Sequence, residues 1–336
     1  MIFISSYCFG SVCERHPLVT NALVESLNES CQDIKVESLS RLKSLSIAYK
    51  NLKFLKKKDF IGLKNLESLS LQFNQIKEIE DGFFKAFPKL RKLNLRQNQI
   101  TSLAPGLLST NYYLENLDIG QNKIVELPLN LFSGNFSLTE LRLDQNQIER
   151  IQKDLLKEKR KLKTLALGVN KLSILETGSF DDLTSLENIS LYSNELRYLP
   201  YNLFLSTPNL REVSLSLNRL IWLSPSLFSF NTVLERVYLG GNPIRSIPEN
   251  LFQENHKLKE IYLNYLEISS LGKRTFRNQK DLAIVYLNDN DITELPAELF
   301  SRENFNDSAR VNLSKNPLSE KSLEMAKELL GRRLSL

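Results

Sequence analysis

The sequence has 336 residues, a formal net charge of +5 at pH 7, 42% hydrophobic residues and 25% charged residues. This balance is typical of a folded globular protein and excludes an intrinsically disordered chain. Lysine and arginine are interleaved with aspartate and glutamate without forming a basic stripe, so we expect no nucleic-acid partner. No run approaches the roughly 18–20 apolar residues of a membrane span, so we expect no transmembrane segment.

Residues 1–11 form an apolar segment that we interpret as a possible signal peptide. The segment is short and lacks the basic start of a secretory signal, although Cys8 and Gly10 supply small residues before a cleavage point. The alternative is an N-terminal strand that packs against the first repeat.

Residues 12–41 are expected to form an N-terminal cap. Pro17–Leu27 has the spacing of an amphipathic helix that would cover the open apolar edge of the first repeat. Its apolar side comprises Leu18, Val19, Ala22 and Leu23.

Residues 42–318 repeat a 24-residue pattern about twelve times, and the first leucine of each unit recurs from Leu42 to Leu282. In the unit LRKLNLRQNQI, Leu93 and Leu95 alternate with polar residues, which predicts a short strand with one buried face. One such strand cannot bury its leucines alone. Successive units must therefore stack, with their strands paired in parallel.

An asparagine follows each strand and is expected to bond the backbone groups that the turn leaves unpaired. Lys50 and Leu266 interrupt this series, and we expect a loosened or re-routed turn at Leu266. The series comprises Asn74, Asn98, Asn122, Asn146, Asn170, Asn194, Asn218, Asn242, Asn290 and Asn316.

A phenylalanine series on the return path predicts a buried aromatic spine, with Leu108 and Leu156 in its two gaps. Prolines such as Pro128 and Pro200 share one phase of the repeat and argue against long helices there. The series comprises Phe60, Phe84, Phe132, Phe180, Phe204, Phe228, Phe252, Phe276 and Phe300.

Residues 319–336 are expected to form a C-terminal capping helix over Ser319–Leu330. Ser319 or Ser322 can cap its start and Gly331 ends it. Its apolar side comprises Leu323, Ala326 and Leu330.

The repeated L-x-x-L-x-L-x-x-N-x-L pattern resembles the leucine-rich repeat family, 24-residue type. Residues 13–71, with the DF-x-GL motif at 59–63, resemble the opening of secreted bacterial leucine-rich repeat proteins. The resemblance implies an α/β solenoid, a curved horseshoe with a parallel sheet on its concave face, few or no long helices on its convex side, and helical caps at both ends. It also implies export to a secreted, periplasmic or cell-surface location, with a cytoplasmic location as the alternative.

The same resemblance implies a capping disulfide, and Cys13 and Cys31 flank the predicted cap helix. Cys8 would then leave with the signal peptide, whereas all three cysteines would be free thiols in a cytosolic protein. Alternatively, these cysteines and His16 could ligate zinc.

The sequence contains no motif that indicates catalysis. It has only two histidines and no phosphate-binding glycine loop, His-Glu-x-x-His or Gly-x-Ser-x-Gly, so we expect neither an enzyme nor a cofactor or metal site. Asp118 and Asp144 lie on neighbouring strands with Arg96 and Arg142, which predicts cross-strand charge pairing. Asn28 and Asn135 begin glycosylation-acceptor motifs.

The outward side chains of the strands predict a binding surface in the C-terminal half. Tyr238, Tyr262 and Tyr286 occupy one outward column on three consecutive strands. Tyrosine buries a large area at low entropic cost and is enriched at interfaces, although it also suits strands and can simply stack with its neighbours. The neighbouring candidates are Tyr192, Asn264, Tyr265, Ile284, Asn288 and Asp289.

Twelve strands would present roughly 600–700 Å² of concave surface, close to the ~800 Å² that a partner buries in a standard interface. We therefore predict a monomeric, non-catalytic solenoid that holds a protein or peptide ligand on its concave face. The alternative is an adhesive or structural cell-surface protein that binds polysaccharide or envelope components.

Overall fold

A computed structural model describes residues 11–300, 305–306 and 308–336 of the chain. Cys8 and all but the last residue of the possible signal peptide at 1–11 lie outside the described residues. The chain divides into two compact units, Met1–Asn146 and Gln147–Leu336.

The N-terminal end of the first unit is helical. Helix α1, Pro17–Leu27, has the predicted bounds, and the Nδ1 atom of its N-cap His16 accepts the backbone N–H of Leu18. A second short helix, α2, spans Val36–Arg41. Helix α1 buries Val19, Ala22 and Leu23, and it packs against the first strand.

A disulfide and a set of hydrogen bonds stabilise this cap. Cys13 and Cys31 form a disulfide across α1 with 5.2 Å between their Cα atoms, so neither thiolate is available to a zinc ion. The hydrogen bonds are made by the buried Asp59 of the DF-x-GL motif. Its Oδ1 accepts the N–H of His16, and its carbonyl accepts the Arg15 guanidinium.

The strands of the first unit pair in parallel, each with the next one along the chain, at the 24-residue register of the repeat. Each strand buries its central leucine and turns its outer residues toward solvent, as the alternation predicts. The strands are β1 Ser44–Ser46, β2 Ser68–Ser70, β3 Lys92–Asn94, β4 Asn116–Asp118 and β5 Glu140–Arg142.

The second unit continues the same plan. Its main strands pair in parallel, and the step from 284 to 310 widens the register to 26 residues. These strands are β7 Thr164–Ala166, β9 Asn188–Ser190, β10 Glu212–Ser214, β11 Arg236–Tyr238, β12 Glu260–Tyr262, β13 Ile284–Tyr286 and β14 Arg310–Asn312.

Three further strands of this unit are not predicted from the sequence. Arg150–Ile151 (β6) and Ile174–Leu175 (β8) form a separate parallel pair beyond the turns. Leu334–Ser335 (β15) pairs with β14 after helix α3, Glu320–Leu330, whose N-cap is Ser319 and whose C-cap is Gly331. Between α2 and α3, the helices of the described residues are 3-10 turns of four residues, Lys57–Phe60 and Phe83–Ala86. The predicted parallel-sheet solenoid with few helices is thereby confirmed.

The asparagine after each strand bonds the backbone of its own turn and of the preceding one. The Asn218 amide nitrogen donates to the carbonyls of Leu191 and Leu215, and its Oδ1 accepts the N–H of Leu196. At Leu266 the amide is missing and the preceding turn is re-routed, as predicted. There the N–H of Arg245 donates to the Leu266 carbonyl.

The return path holds the predicted aromatic spine and a second asparagine series. The phenylalanines are buried, and the rings of Phe204 and Phe228 stack with 5.9 Å between their centroids. Asn135, fully buried, donates to the carbonyls of Leu108 and Asn111, so its glycosylation motif is not accessible. Among the described residues, no helix has the length and apolar character required to cross a membrane.

Candidate functional site

The predicted tyrosines stack on the exposed face of strands β11, β12 and β13. The centroids of Tyr238 and Tyr262 are 4.6 Å apart, and those of Tyr262 and Tyr286 are 4.9 Å apart. The parallel register places the three rings directly beside one another. We call these three residues the tyrosine row. The rings are partly exposed, with 36% of Tyr286 accessible.

Burial and acidic neighbours raise the pKa of two tyrosines of the row, Tyr238 and Tyr262. The Tyr262 hydroxyl donates to Oε2 of Glu260 at 3.1 Å. Burial, followed by this bond and the charge of Glu260, raises the pKa of Tyr262 to about 12. Burial and then the charge of Glu212 also raise the pKa of Tyr238. The phenols of Tyr238 and Tyr262 therefore remain hydrogen-bond donors throughout the physiological pH range.

An apolar depression of about 610 Å³ adjoins the tyrosine row at β11 and β12. Its wall includes Leu217, which is 60% exposed, and the predicted Tyr265, which is 53% exposed. A Cβ atom on Gly240 would lie 2.6 Å from Oδ1 of Asn264, and one on Gly241 would lie 2.7 Å from Leu217 Cδ2. The glycines thus make room for these two side chains.

Leu217 is not singled out by the sequence, because most leucines of the repeats are buried. It follows β10 at the turn position that carries Tyr265 two repeats later. Its φ of 56° places it in the left-handed region, and this tight turn points its side chain outward. An apolar residue at that turn position is the signal that could have identified it.

Tyr192 lies apart from the tyrosine row. It follows β9, two strands before β11, and its ring covers Gly168, where an added Cβ would lie 2.4 Å from Cδ1 of the ring. The structure therefore does not bring Tyr192 together with the other predicted tyrosines.

Asn288 and Asp289 form a polar cluster with Tyr265. Asn288 Nδ2 donates to Asp289 Oδ2 at 2.6 Å, and Lys315 Nζ lies 2.9 Å from Oδ1 of the same carboxylate. The bonds from Lys315, Asn288 and the Tyr265 hydroxyl lower the pKa of Asp289. These residues hold the Tyr265 ring beside the depression.

The last predicted residue, Ile284, lines a cavity of about 350 Å³ at the other end of the row. The cavity is also lined by Tyr286, Arg310, Arg332 and residues of β15. Arg310 and Arg332 are exposed.

Most other charges near the row are neutralised between neighbouring repeats. Glu235 lies 2.6 Å from Arg211 and 2.7 Å from Lys259, and these partners lower its pKa, the Lys259 bond most strongly. Arg236 pairs with Glu212 at 2.8 Å.

The strand face of the first unit carries an ion-pair network instead of aromatic residues. Arg96 bridges Asp144 at 2.9 Å and Asp118 at 3.4 Å, and its guanidinium covers Gly120. Burial raises the pKa of Asp118, whereas the bond to Asp144 raises that of Arg96. The prediction for Arg142 is wrong, because this side chain pairs with Glu140 on its own strand at 2.5 Å.

A row of exposed apolar residues lies outside the strand face. Ile174, Tyr198 and Trp222 occupy one position of three consecutive repeats, and Tyr201 lies near them in sequence. Tyr198 is 62% exposed and Tyr201 is 67% exposed. We call Tyr198, Tyr201 and Trp222 the flank aromatics. Within the described part of the chain, no group of three or more histidine, cysteine or acidic residues could hold a metal ion.

Comparison with known proteins gives two family matches. The leucine rich repeat model matches residues 40–100, 64–124 and 88–148, and the BspA type leucine rich repeat region (6 copies) matches residues 149–283. A search of curated proteins gives no significant match.

Several solved structures are similar. An internalin from Listeria monocytogenes has 18% sequence identity and a TM-score of 0.70, with 97% of this chain and 96% of that chain covered. The LRIM1/APL1C complex has 21% identity and a TM-score of 0.69, with 88% and 56% covered. The TLR13–ssRNA13 complex has 26% identity and a TM-score of 0.70, with 86% of this chain but 42% of that chain covered.

The two family matches run without a break from residue 40 to residue 283, and they coincide with the stacked strands and the asparagine series. At 18% and 21% identity, the structural likeness supports the fold alone. The chain belongs to the leucine-rich repeat family.

Proposed function

We propose that the protein is a non-catalytic binding solenoid that presents the tyrosine row to a protein or peptide partner. The observation that carries this proposal is the stack of three partly exposed tyrosines beside an apolar depression. Rigid aromatic side chains lose little conformational entropy on binding, and a mutual stack fixes them further. The row is therefore preorganised for contact.

The form of the surface favours a macromolecular ligand over a small metabolite. Small-molecule sites enclose most of their ligand, whereas the row and its depression lie open on the strand face. Asn264 and the polar cluster of Asn288 and Asp289 supply donors and acceptors at the border, as the rim of a protein interface does. We propose that the protein acts as a monomer in this role.

A nucleic-acid ligand is less well supported. One similar structure is named as a complex with single-stranded RNA. In this chain, however, Arg211, Arg236 and Lys259 near the row are paired with glutamates, and those carboxylates would repel a phosphate backbone.

A paired variant experiment tests the proposal. Tyr238→Ala with Tyr262→Ala should abolish capture of protein partners from extract, with the free energy of unfolding changed by about 1 kcal/mol. Tyr198→Ala with Tyr201→Ala removes the same side chains from the flank and should leave capture intact. Unchanged capture by the row variant would refute the assignment.

The flank aromatics favour a second candidate function, adhesion to polysaccharide or envelope components at a cell surface. Exposed aromatic rings offer flat apolar faces, and two of the flank aromatics, Tyr198 and Tyr201, are more than 60% exposed. A glycan array separates the two functions. Adhesion would be favoured if the chain binds a sugar, if Tyr198→Ala with Tyr201→Ala abolishes that binding, and if no protein partner is captured.

We propose a secreted, periplasmic or cell-surface location for either function. The Cys13–Cys31 disulfide supports this location, because disulfides persist in oxidising compartments and are rare in the cytosol.

A further inference from the structure

The two cavities that adjoin the tyrosine row differ in chemistry. The depression beside Tyr238 and Tyr262 is walled by the apolar parts of Leu217 and Tyr265. The cavity beyond Tyr286 is lined by three arginines, Arg310, Arg332 and Arg333. The surface is therefore polarised along its length, apolar at one end and cationic at the other.

The cationic end keeps its hydrogen-bonding capacity. Arg310 and Arg332 are exposed and form no ion pair within the described residues, unlike the neighbouring cations Arg211 and Lys259. Arg333, also in this cavity, is already used, because its guanidinium donates to three main-chain carbonyls. Two guanidinium groups thus remain free to bind one planar anion.

We propose that the partner presents an extended peptide segment with an apolar side chain that binds in the depression and a carboxylate that binds Arg310 and Arg332. This inference rests on the proposed function. The tyrosine row lies between these two contacts and supports the residues that connect them.

The fold sets the spacing of the two contacts. Arg310 is in register with Glu212 of β10, four strand-to-strand steps away, and Leu217 lies five residues beyond Glu212. At about 4.8 Å a step the four steps span roughly 19 Å, the length of about six residues of extended chain, and the offset of Leu217 along the strand direction lengthens this path. The apolar and acidic residues of the segment should therefore have at least about five residues between them.

A single-stranded nucleic acid fits this surface less well. The rings of the row are 4.6 and 4.9 Å apart, which leaves no space for a base between them. Glu260, bonded to Tyr262, and Glu212 lie along the row and would repel successive phosphates. A peptide with one carboxylate at the arginine end avoids this repulsion.

An array of synthetic peptides provides the test. Each peptide is acetylated and amidated, carries one leucine and one glutamate, and separates them by about two to about eight serine or glycine residues, in both chain directions. A second set replaces glutamate with glutamine. Dissociation constants are then measured by fluorescence anisotropy on the full chain.

We expect the tightest binding at about five or more intervening residues in one chain direction, and about tenfold weaker binding when glutamine replaces glutamate. Arg310→Gln with Arg332→Gln should remove the preference for glutamate. The control Lys273→Gln with Arg277→Gln makes the same change of charge at exposed residues outside the cavity and should preserve it.

Equal binding of the glutamate and glutamine peptides would overturn the inference, as would failure of every peptide to bind. Tighter binding of an oligouridylate that depends on Arg310 would overturn it in favour of RNA. Partner capture separates failure of the peptide inference from failure of the proposed function. If the tyrosine variant loses capture and the arginine variant retains it, only the peptide inference is refuted. If the tyrosine variant retains capture, the proposed function and the peptide inference are both refuted.

Discussion

Each asparagine that follows a strand stabilises its turn, because its side-chain amide forms hydrogen bonds with backbone groups that the tight turn leaves unpaired. The strand-end series can be predicted from the sequence, since it recurs with few gaps. The second series, at Asn111, Asn135, Asn231 and Asn255, is equally buried but is interrupted by Lys159, Leu183 and Thr207. Because of these interruptions, the second asparagine series cannot be recognised from the sequence repeat.

We predict that Asn218→Ala lowers the free energy of unfolding by about 2–4 kcal/mol, because it leaves buried carbonyls and one buried N–H without partners. Urea unfolding measures the change. Asn209→Ala, which removes one exposed bond to the Thr184 carbonyl, serves as the control and should cost about 0.5 kcal/mol or less. Equal losses in the two variants would contradict this role.

The raised pKa of Tyr262 gives a second prediction at this scale. Between pH 10 and about 12 the unfolded chain loses the phenol proton while the folded chain keeps it, so this group's contribution to stability is present below pH 10 and is lost as the pH approaches 12. In a spectrophotometric titration, Tyr262→Phe should remove an ionisation near pH 12, and Glu260→Gln should shift it downward. An unshifted titration in Glu260→Gln would show that the hydrogen bond is not made.

The regular elements follow from the repeat, whereas the short, irregular ones do not. The main strands and the bounds of α1 can be predicted because periodic apolar residues and a leading proline mark them. Helix α2 and strands β6, β8 and β15 cannot, since two to six residues hold too little periodicity and their pairing depends on tertiary contacts. The same dependence explains why Arg332 becomes recognisable only in the folded chain.

For the N-terminal cap, we predict that Cys13→Ser with Cys31→Ser destabilises α1 by about 3 kcal/mol, because the disulfide closes a loop with a sequence separation of 18. Hydrogen exchange of the α1 amides should accelerate accordingly, with exchange at β10–β12 as an internal control. Treating the wild-type chain with a reducing agent should reproduce the effect. Unchanged α1 exchange in both experiments would mean that the buried Asp59 contacts alone hold the cap.

Across the whole molecule, the repeats share the same buried pattern, and they differ in the side chains that their strands expose to solvent. The strand face of the first unit is occupied by the Arg96 network, whose charges satisfy one another. The strand face of the second unit combines stacked tyrosines, an apolar depression and two free guanidinium groups. The sequence predicts the tyrosine column, because residues 24 apart share a face, but it misplaces Tyr192, whose ring orientation depends on Gly168.

Site-specific photo-crosslinking tests the central claim most directly, because it reports contact rather than loss of binding. A photoreactive phenylalanine analogue replaces Tyr262 in one protein and Tyr201, on the flank, in another. We predict that irradiation in extract joins a discrete protein or peptide to position 262 and nothing specific to position 201. Specific adducts at 201 without any at 262 would contradict the assignment of the tyrosine row as the binding surface.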